Sequence, residues 1–217
     1  DLLLETGYTN LTTSGSGATS TVTYPQASLR VGAGRHLEFD LDPASVERIS
    51  GSPAVTGATD TSLGVKYEFG YSNRLLYGVN VLYTVNSGDA LTSDNGDGVL
   101  ANLNGVLTLS PAVGFFATVG YNAQSAGSAA APARYHGIDP SLGVSISLPA
   151  SFSFALEGFG QSSTGPGLGG RYGADAALER DFGSRLQLDI NYDDYLGIQN
   201  GAHLRAVGFG AAYLIGS

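Results

Sequence analysis

The 217-residue chain contains no cysteine, no methionine and no tryptophan. Without cysteine there is neither a disulfide framework nor a thiolate zinc site. Lysine occurs once, at Lys66, and ten basic residues stand against nineteen acidic ones, for a formal net charge of −9. A nucleic-acid surface needs clustered lysine and arginine to neutralise phosphates, so that class is excluded. Charge of either sign is scarce, at 13% of residues, against about 25% in ordinary domains. The scarcity, with a hydrophobic fraction of 42%, also excludes a disordered chain, which combines high net charge with low hydrophobicity. No stretch of about 18 consecutive apolar residues occurs, which rules out a transmembrane helix. The chain opens at Asp1, and the expectation is a processed product whose export signal has gone.

Glycine is abundant, at 32 residues, about twice its usual share of roughly 7%. It has no three-residue period, so a collagen helix is excluded. The dominant signal is instead a period of two. In Leu63-Gly-Val65-Lys-Tyr67-Glu-Phe69 the apolar residues share one face, and Gly64, Lys66 and Glu68 share the other. Successive side chains of a strand point to opposite faces, so this is a two-faced strand. Leu37–Leu41, Leu142–Leu148 and Leu186–Tyr192 repeat the pattern. No segment shows a helical stripe.

About 12 such segments follow, near 2–12, 20–32, 35–42, 60–70, 74–87, 98–109, 112–124, 135–148, 151–162, 170–181, 184–195 and 202–215. Strands of roughly ten residues exceed the usual 5–6 and match the 9–11 that a tilted strand needs to cross a bilayer. Short turns at 32–34, 70–73, 110–111, 149–150 and 182–183 alternate with longer stretches near 13–19, 43–59, 88–97, 125–134, 163–169 and 196–201. The longer stretches are rich in Gly, Ser, Ala, Asn and Asp, the residues of surface loops. Tight turns at one end and longer loops at the other are the asymmetry of an outer-membrane barrel. An even strand number brings both termini to the short-turn end.

A soluble barrel would alternate in the same way, with its apolar face inward. Three features place lipid outside. The polar face is small and weakly charged, with Gly64, Gly78, Asn102, Asn104, Gly120 and Ser145, whereas a water-exposed wall carries many more charges. Aromatics collect at strand ends on the apolar face: Phe69, Tyr77, Phe115, Phe152 and Tyr213 near short turns, and Tyr24, Tyr83, Tyr121 and Tyr192 nearer the long loops. Two such bands match the interfacial girdles of membrane barrels. Loop asymmetry is the third feature. The predicted fold is therefore all-β, a transmembrane up-and-down antiparallel β-barrel of about 12 strands, with residues 1–217 as a single domain.

A weak repeat pairs Asp60-Thr-Ser-Leu-Gly-Val65 with Asp139-Pro-Ser-Leu-Gly-Val144. Both open strands after long loops. The plain reading is a shared way of entering the membrane; the functional one is a pair of rim carboxylates that select solutes. Asp60–Tyr67, Gly170–Asp175, Phe182–Ile190 and the closing Val207–Tyr213 resemble short motifs of the outer-membrane transporter family named for the meta-pathway of phenol degradation. The resemblance runs over most of the chain, on short glycine-rich motifs. It implies an outer-membrane barrel passing small molecules, aromatic or hydrophobic ones included, and carries over no catalytic or binding residue. One departure is the ending Tyr213-Leu-Ile-Gly-Ser217, where such barrels usually end in an aromatic residue; an altered or trimmed assembly signal is expected.

With lipid outside, the polar face lines the lumen. The phase of each strand puts Glu38, Asp40, Glu68, Glu157, Asp175, Glu179 and Asp189 inside, with Lys66, Arg74 and Arg185. Glu5 and Arg30 join them. Buried charges need partners or water, so the set either braces and plugs the barrel or lines a wet passage with an acidic excess. Eight strands are filled by side chains and 16–18 leave a channel; with twelve, the many small lumen residues favour a narrow pore. An acidic lining favours cations and neutral solutes over anions.

Other chemistry is poorly supported. His36, His136 and His203 lack metal-ligand spacing and have no accompanying nucleophile motif, so no catalytic residue, metal or cofactor is expected. A lipid hydrolase is a minor reading that would need His136 or His203. Asp89–Gly98 looks faintly like a calcium loop but lacks the ligand spacing and closing Glu of an EF-hand. Its carboxylates, and Asp193 and Asp194, are candidates for recruiting divalent ions beside lipopolysaccharide phosphates. In the last strand His203 and Arg205 sit in the phase of Val207 and Phe209, and a bulge near Arg205–Ala206 is expected to re-aim them. The expected protein is a bacterial outer-membrane channel passing small solutes by passive diffusion, in contact with outer-membrane lipid and lipopolysaccharide. The alternative is a structural or partner-binding barrel with a plugged lumen.

Overall fold

The structure, a computed structural model, describes residues 1–217 except 16–17, 73, 94, 129–130, 197–201 and 217, and leaves out the side chains of 71, 128, 131 and 132. Fifteen strand segments form one antiparallel sheet: β1 (Leu2–Ser14), β2 (Thr19–Tyr24), β3 (Ser28–Ala33), β4 (Leu37–Asp42), β5 (Val46–Ile49), β6 (Val55–Ala58), β7 (Thr61–Tyr71), β8 (Leu75–Val85), β9 (Gly98–Ser110), β10 (Val113–Ser128), β11 (Ala131–Leu148), β12 (Phe152–Gln161), β13 (Arg171–Phe182), β14 (Leu186–Tyr195) and β15 (His203–Ile215). β15 pairs with β1 in one unbroken register from Leu2↔Ile215 to Ser14↔His203, which closes the sheet into a barrel.

Three pairs of segments are continuations of single staves. Thr21↔Ile49 in β2–β5 and Leu29↔Leu41 in β3–β4 lie on one register line. So do Val46↔Ala58 in β5–β6 and Leu37↔Tyr67 in β4–β7. Joining β2 to β3, β4 to β5 and β6 to β7 leaves a barrel of twelve antiparallel staves, as the alternation predicted.

The apolar face is outside. Leu63, Val65, Tyr67 and Phe69 are all exposed, and so are Leu103, Leu107, Val119, Tyr121, Leu142, Phe209 and Tyr213. Ala206 is the sole buried hydrophobic residue among those described. Among the described residues the barrel thus shows no fully buried hydrophobic core, and most of its apolar area lies on the outer wall, far beyond the patch a soluble monomer tolerates. The girdle residues Phe69, Tyr77, Phe115 and Tyr213 near the short turns, and Tyr24, Tyr83, Tyr121 and Tyr192 towards the other end, are exposed on that wall. Phe152 is half-buried instead, and the Arg180 guanidinium lies 4.9 Å over its ring and 4.6 Å over that of the exposed Phe182.

Two expectations are corrected. No bulge occurs near Arg205–Ala206, since β15 keeps its register with β14 as well as β1, from Leu186↔Tyr213 to Tyr195↔Leu204. Arg205 remains on the outer face because its Cα partner there, Asp194, supplies the counter-charge at 3.5 Å. The irregularities fall between Glu68 and Gly70 and between Val113 and Gly114, both near short turns. Second, much of the stretches 43–59 and 125–134 is not loop. β5 and β6 pair within the first, and β10 and β11 stay paired out to Ser128↔Ala131. The strands themselves run on past the belt. β11 leaves β12 at Pro140, which has no N–H for a ladder; pairing with β12 begins at Ser141↔Phe159. Beyond it, the Ser162 hydroxyl accepts from Ile138 N at 2.7 Å, and Ser162 N donates to the Ile138 carbonyl.

The breaks in the three interrupted staves line up as a transverse seam at Pro25, Pro43–Ser45 and Thr59–Asp60. Proline cannot donate to a ladder, which explains the first two. Ser45 closes the seam. Its Oγ donates to the Pro25 carbonyl at 2.8 Å, its N–H donates to Thr59 Oγ1 at 2.9 Å, and its carbonyl accepts from Thr59 N. Ser45 is buried despite its hydroxyl. Thr59→Val leaves the Ser45 N–H without an acceptor and should lower stability by about 1–3 kcal/mol, with Ser45→Ala near the low end. Denaturant unfolding in detergent micelles measures both, with Ser147→Ala as a control expected to change stability by less than about 0.5 kcal/mol.

Candidate functional site

Because the period is two, the residues between the exposed apolar ones face the lumen. On the β3–β8 side, Arg30 pairs with Asp40, Glu38 with Lys66, and Lys66 with Asn80 across the strands. Glu38, Asp40, Lys66 and Glu68 line one cavity of about 340 Å³ with Arg30, Asn80, Asn104, Leu76 and Val106. A second cavity of about 290 Å³ shares Arg30, Glu38, Lys66 and Glu68 and reaches the short-turn mouth at Gly34, Arg35 and His36. Arg30 Nη2 stands 2.9 Å from Glu5 Oε2, and Lys66 Nζ 3.6 Å from Glu38 Oε1.

The opposite wall is acidic. Glu157, Asp175 and Asp193 stand directly across from one another on β12, β13 and β14. Glu179 and Asp189 form a further pair, and Glu179 Oε2 accepts from Ser153 Oγ at 2.9 Å. Like charges opposite each other destabilise a sheet, so this row is relieved by water, by cations or by a proton shared between neighbouring carboxylates. Arg171, at the far end of β13, donates to Gln161 Oε1 at 3.0 Å and lies 5.0 Å over the Tyr195 ring. Between the two walls runs a neutral ladder, Asn104 Nδ2 to Asn80 Oδ1 at 2.7 Å and Thr118 Oγ1 to Asn104 Oδ1 at 2.9 Å.

Arg74 and Arg185 occupy short turns, where their carbonyls accept from Thr108 N and Leu214 N. They flank the mouth rather than the strand-built wall. Asp139, Asp193 and Arg171 were not among the residues read as lumen-lining, yet they share its phase. For Asp193 a signal was present, since Asp189, Asn191 and Asp193 continue one period of two.

Glycine shapes the lumen by seating larger side chains rather than by leaving gaps. A Cβ at Gly210 would stand 2.6 Å from Asp189 Oδ1, at Gly173 2.6 Å from Phe159 Cζ, and at Gly143 2.6 Å from Phe116 Cε2. The neighbouring carboxylate or ring thus lies flat along the wall, over the bare backbone.

The loop carboxylates act as caps. Asp60 Oδ1 accepts from Ser87 N and Gly88 N at 2.9 and 2.7 Å, and Asp89 Oδ2 accepts from Ala58 N at 2.7 Å. Asp97 Oδ1 accepts from Asn86 N at 3.0 Å, while Asp94 lies outside the described residues. Asp139 faces inward and accepts from Asn122 Nδ2 at 2.6 Å. Asp193 and Asp194 part company, Asp193 to the lumen and Asp194 to the outer wall, where His203 Nε2 stands 2.9 Å from its Oδ1. Ser14 beside His203 donates its hydroxyl proton to the His203 carbonyl at 3.2 Å, so it does not meet the imidazole as a hydrolase nucleophile must. His36 and His136 lie 6.3 Å from the rings of Tyr67 and Tyr121.

Among solved structures, the chain is similar to the KdgM porin, with a TM-score of 0.57 at 8% identity over 97% of this chain and 99% of that one. It is similar to the CymD monoaromatic hydrocarbon channel, with a TM-score of 0.56 at 9% identity over 100% and 89%. The translocator domain of the autotransporter NalP from Neisseria meningitidis gives 0.56 at 10% identity over 99% and 88%. At such identities the likeness is one of fold, that of outer-membrane barrels. No family model matches the chain, and no curated protein matches it. The likeness to the phenol meta-pathway transporters therefore rests on the short motifs alone.

The glycine seats differ in what a methyl group would strike. Gly210→Ala meets the carboxyl group of Asp189 and no backbone atom among its nearest neighbours, and should fold with a loss of about 1 kcal/mol or less once that short side chain turns aside. Gly173→Ala meets the Asp194 carbonyl, also at 2.6 Å, and should lose about 1–3 kcal/mol. Unfolding midpoints of the two variants in micelles check the contrast.

Proposed function

We propose that this chain is a channel of a bacterial outer membrane that passes small solutes by passive diffusion, and that it prefers cations and neutral molecules to anions. The observation that carries this reading is a closed barrel with an apolar outer wall and an inner face on which carboxylates outnumber cations. Every backbone group in a bilayer must be satisfied within the protein, and a closed barrel does this. The exposed belt then meets lipid, and lipopolysaccharide meets the extended strands and loops at the far end. No chemical step or cofactor is required.

The named neighbours support a channel without naming the solute. One KdgM structure holds a disordered oligogalacturonate, a polyanion that the row Glu157, Asp175 and Asp193 would repel. Neutral molecules, aromatic ones included, face no such barrier and would pass the rings of Phe116 and Phe159. A second reading, a structural or partner-binding barrel with a plugged lumen, draws support from the ion pairs of Arg30 with Glu5 and Lys66 with Glu38.

Single-channel recording in a planar bilayer with a salt gradient separates the two. The channel reading expects steady current steps and a reversal potential of cation preference. Asp189→Asn and Glu179→Gln each remove one wall charge, which at about 4 Å in water is worth about 1 kcal/mol. Each should reduce the cation-to-anion permeability ratio by up to about fivefold. Anion preference sinks the first reading, and a silent, folded barrel selects the second.

A further inference from the structure

The lumen's charges are unevenly distributed. Arg30 and Lys66 face one cavity, whereas the β12–β14 wall opposite offers a row of carboxylates, with Arg171 at its far end held by Gln161 and Tyr195. The 340 Å³ cavity places these two cations beside Glu38, Asp40 and Glu68, with the amides of Asn80 and Asn104 and the aliphatic side chains of Leu76 and Val106. A cavity of about 150 Å³ holds benzene, so this one has room for a small solute of amino-acid size.

The pairs inside it are loosely made. Lys66 and Glu38 are 3.6 Å apart, beyond a good hydrogen bond. Arg30 reaches Glu5 through one terminal nitrogen; its Nε and Asp40 Oδ1, which lack hydrogen-bond partners, are buried in the wall, so a solute would meet the outer atoms of these groups. A guanidinium that presents only one of its donors to a carboxylate retains capacity for a second acceptor. Asp40 and Glu68 retain capacity for a donor. A simple anion entering here would meet Arg30 and Lys66 but also a majority of carboxylates. A simple amine would meet the carboxylates but also two cations. Only a solute carrying both charges answers both sets of groups, with its aliphatic body against Leu76 and Val106.

We propose that this cavity is a binding site for small zwitterions of the amino-acid class. The carboxylate lies towards Arg30 and Lys66, and the ammonium lies towards Asp40 and Glu68. The site rests on the channel reading for the solute's route in and out, but its occupancy does not require conduction. It adds a selective station to an otherwise general passage.

The test is calorimetric titration of the purified protein in detergent micelles with γ-aminobutyrate, butyrate and butylamine, at one ionic strength. The zwitterion should bind at least about tenfold more tightly than either half-molecule, which is a factor set by the second charge contact. Asp40→Asn and Arg30→Gln should each remove most of that advantage, the first leaving butyrate binding intact and the second leaving butylamine binding intact. Circular dichroism of the sheet verifies that each variant is folded, and Lys66→Gln serves as a second cation variant should Arg30→Gln not fold. Equal binding of butylamine and γ-aminobutyrate overturns the proposal in favour of an unselective acidic site, and no binding of any probe overturns it outright. Conduction without zwitterion binding removes the site and leaves the channel; binding by a barrel that is silent in the bilayer removes the channel and leaves the site.

Discussion

Closure of the hydrogen-bond ladder is the constraint on which everything else here depends. In an apolar surround each unpaired backbone group costs several kcal/mol, so a sheet exposed to lipid cannot have an edge. β15 meets β1 over the whole length of both strands, from Leu2↔Ile215 to Ser14↔His203. Once the ladder is closed, each side chain has two options, lumen or wall. A slip of one residue would send the apolar belt, Leu63 to Phe69 among it, inward and the lumen carboxylates, Glu68 and Asp189 among them, into lipid. The alternating sequence and the closed ladder therefore stabilise the same register. Where the ladder is interrupted, side chains take its place: Ser45 at the seam, Ser162 beyond Pro140, and Asp60 and Asp89 over the loop that follows β8.

The same constraint explains why the lumen can be so acidic. The wall that folds the barrel is the outer one, and the inner face contributes little burial energy. Carboxylates facing each other, as Glu157, Asp175 and Asp193 do, are tolerated where the space between them is wet. Glycine keeps that space open by letting Asp189, Phe159 and Phe116 lie back over bare backbone. On the outer wall, Arg205 and His203 lie beside Asp194, and Arg180 lies over the rings of Phe152 and Phe182.

Much of the architecture was legible because the signal is local. Leu63 to Phe69, or Leu186 to Tyr192, states its two faces within seven residues, and twelve such segments imply a closed sheet. The inward phase of Glu38, Lys66 and Asp189 follows from their immediate neighbours. Arg205 was misread for an instructive reason. Its charge suggested an inward phase and hence a bulge, but an ion pair with a residue eleven positions away allowed it to stay outside. The stretches 43–59 and 125–134 read as loops from composition, yet pairing partners supplied by neighbouring strands hold much of them in the sheet. Asp60, Asp89 and Asp97 looked like candidates for ions or solutes, and backbone N–H groups already occupy the oxygens described above.

The amino-acid sequence by itself determined the fold class and strand number, because a period of two needs no knowledge of partners, and the weakly charged polar face, the aromatic bands and the loop asymmetry then told which face meets which medium. Tertiary structure alone decided which charges meet. Arg30 with Glu5, the row across β12 to β14, and the gathering of Arg30, Lys66, Glu38, Asp40 and Glu68 about one cavity all join residues of different staves. Those meetings depend on the stagger and closure of the whole sheet, and no local stretch of sequence carries them.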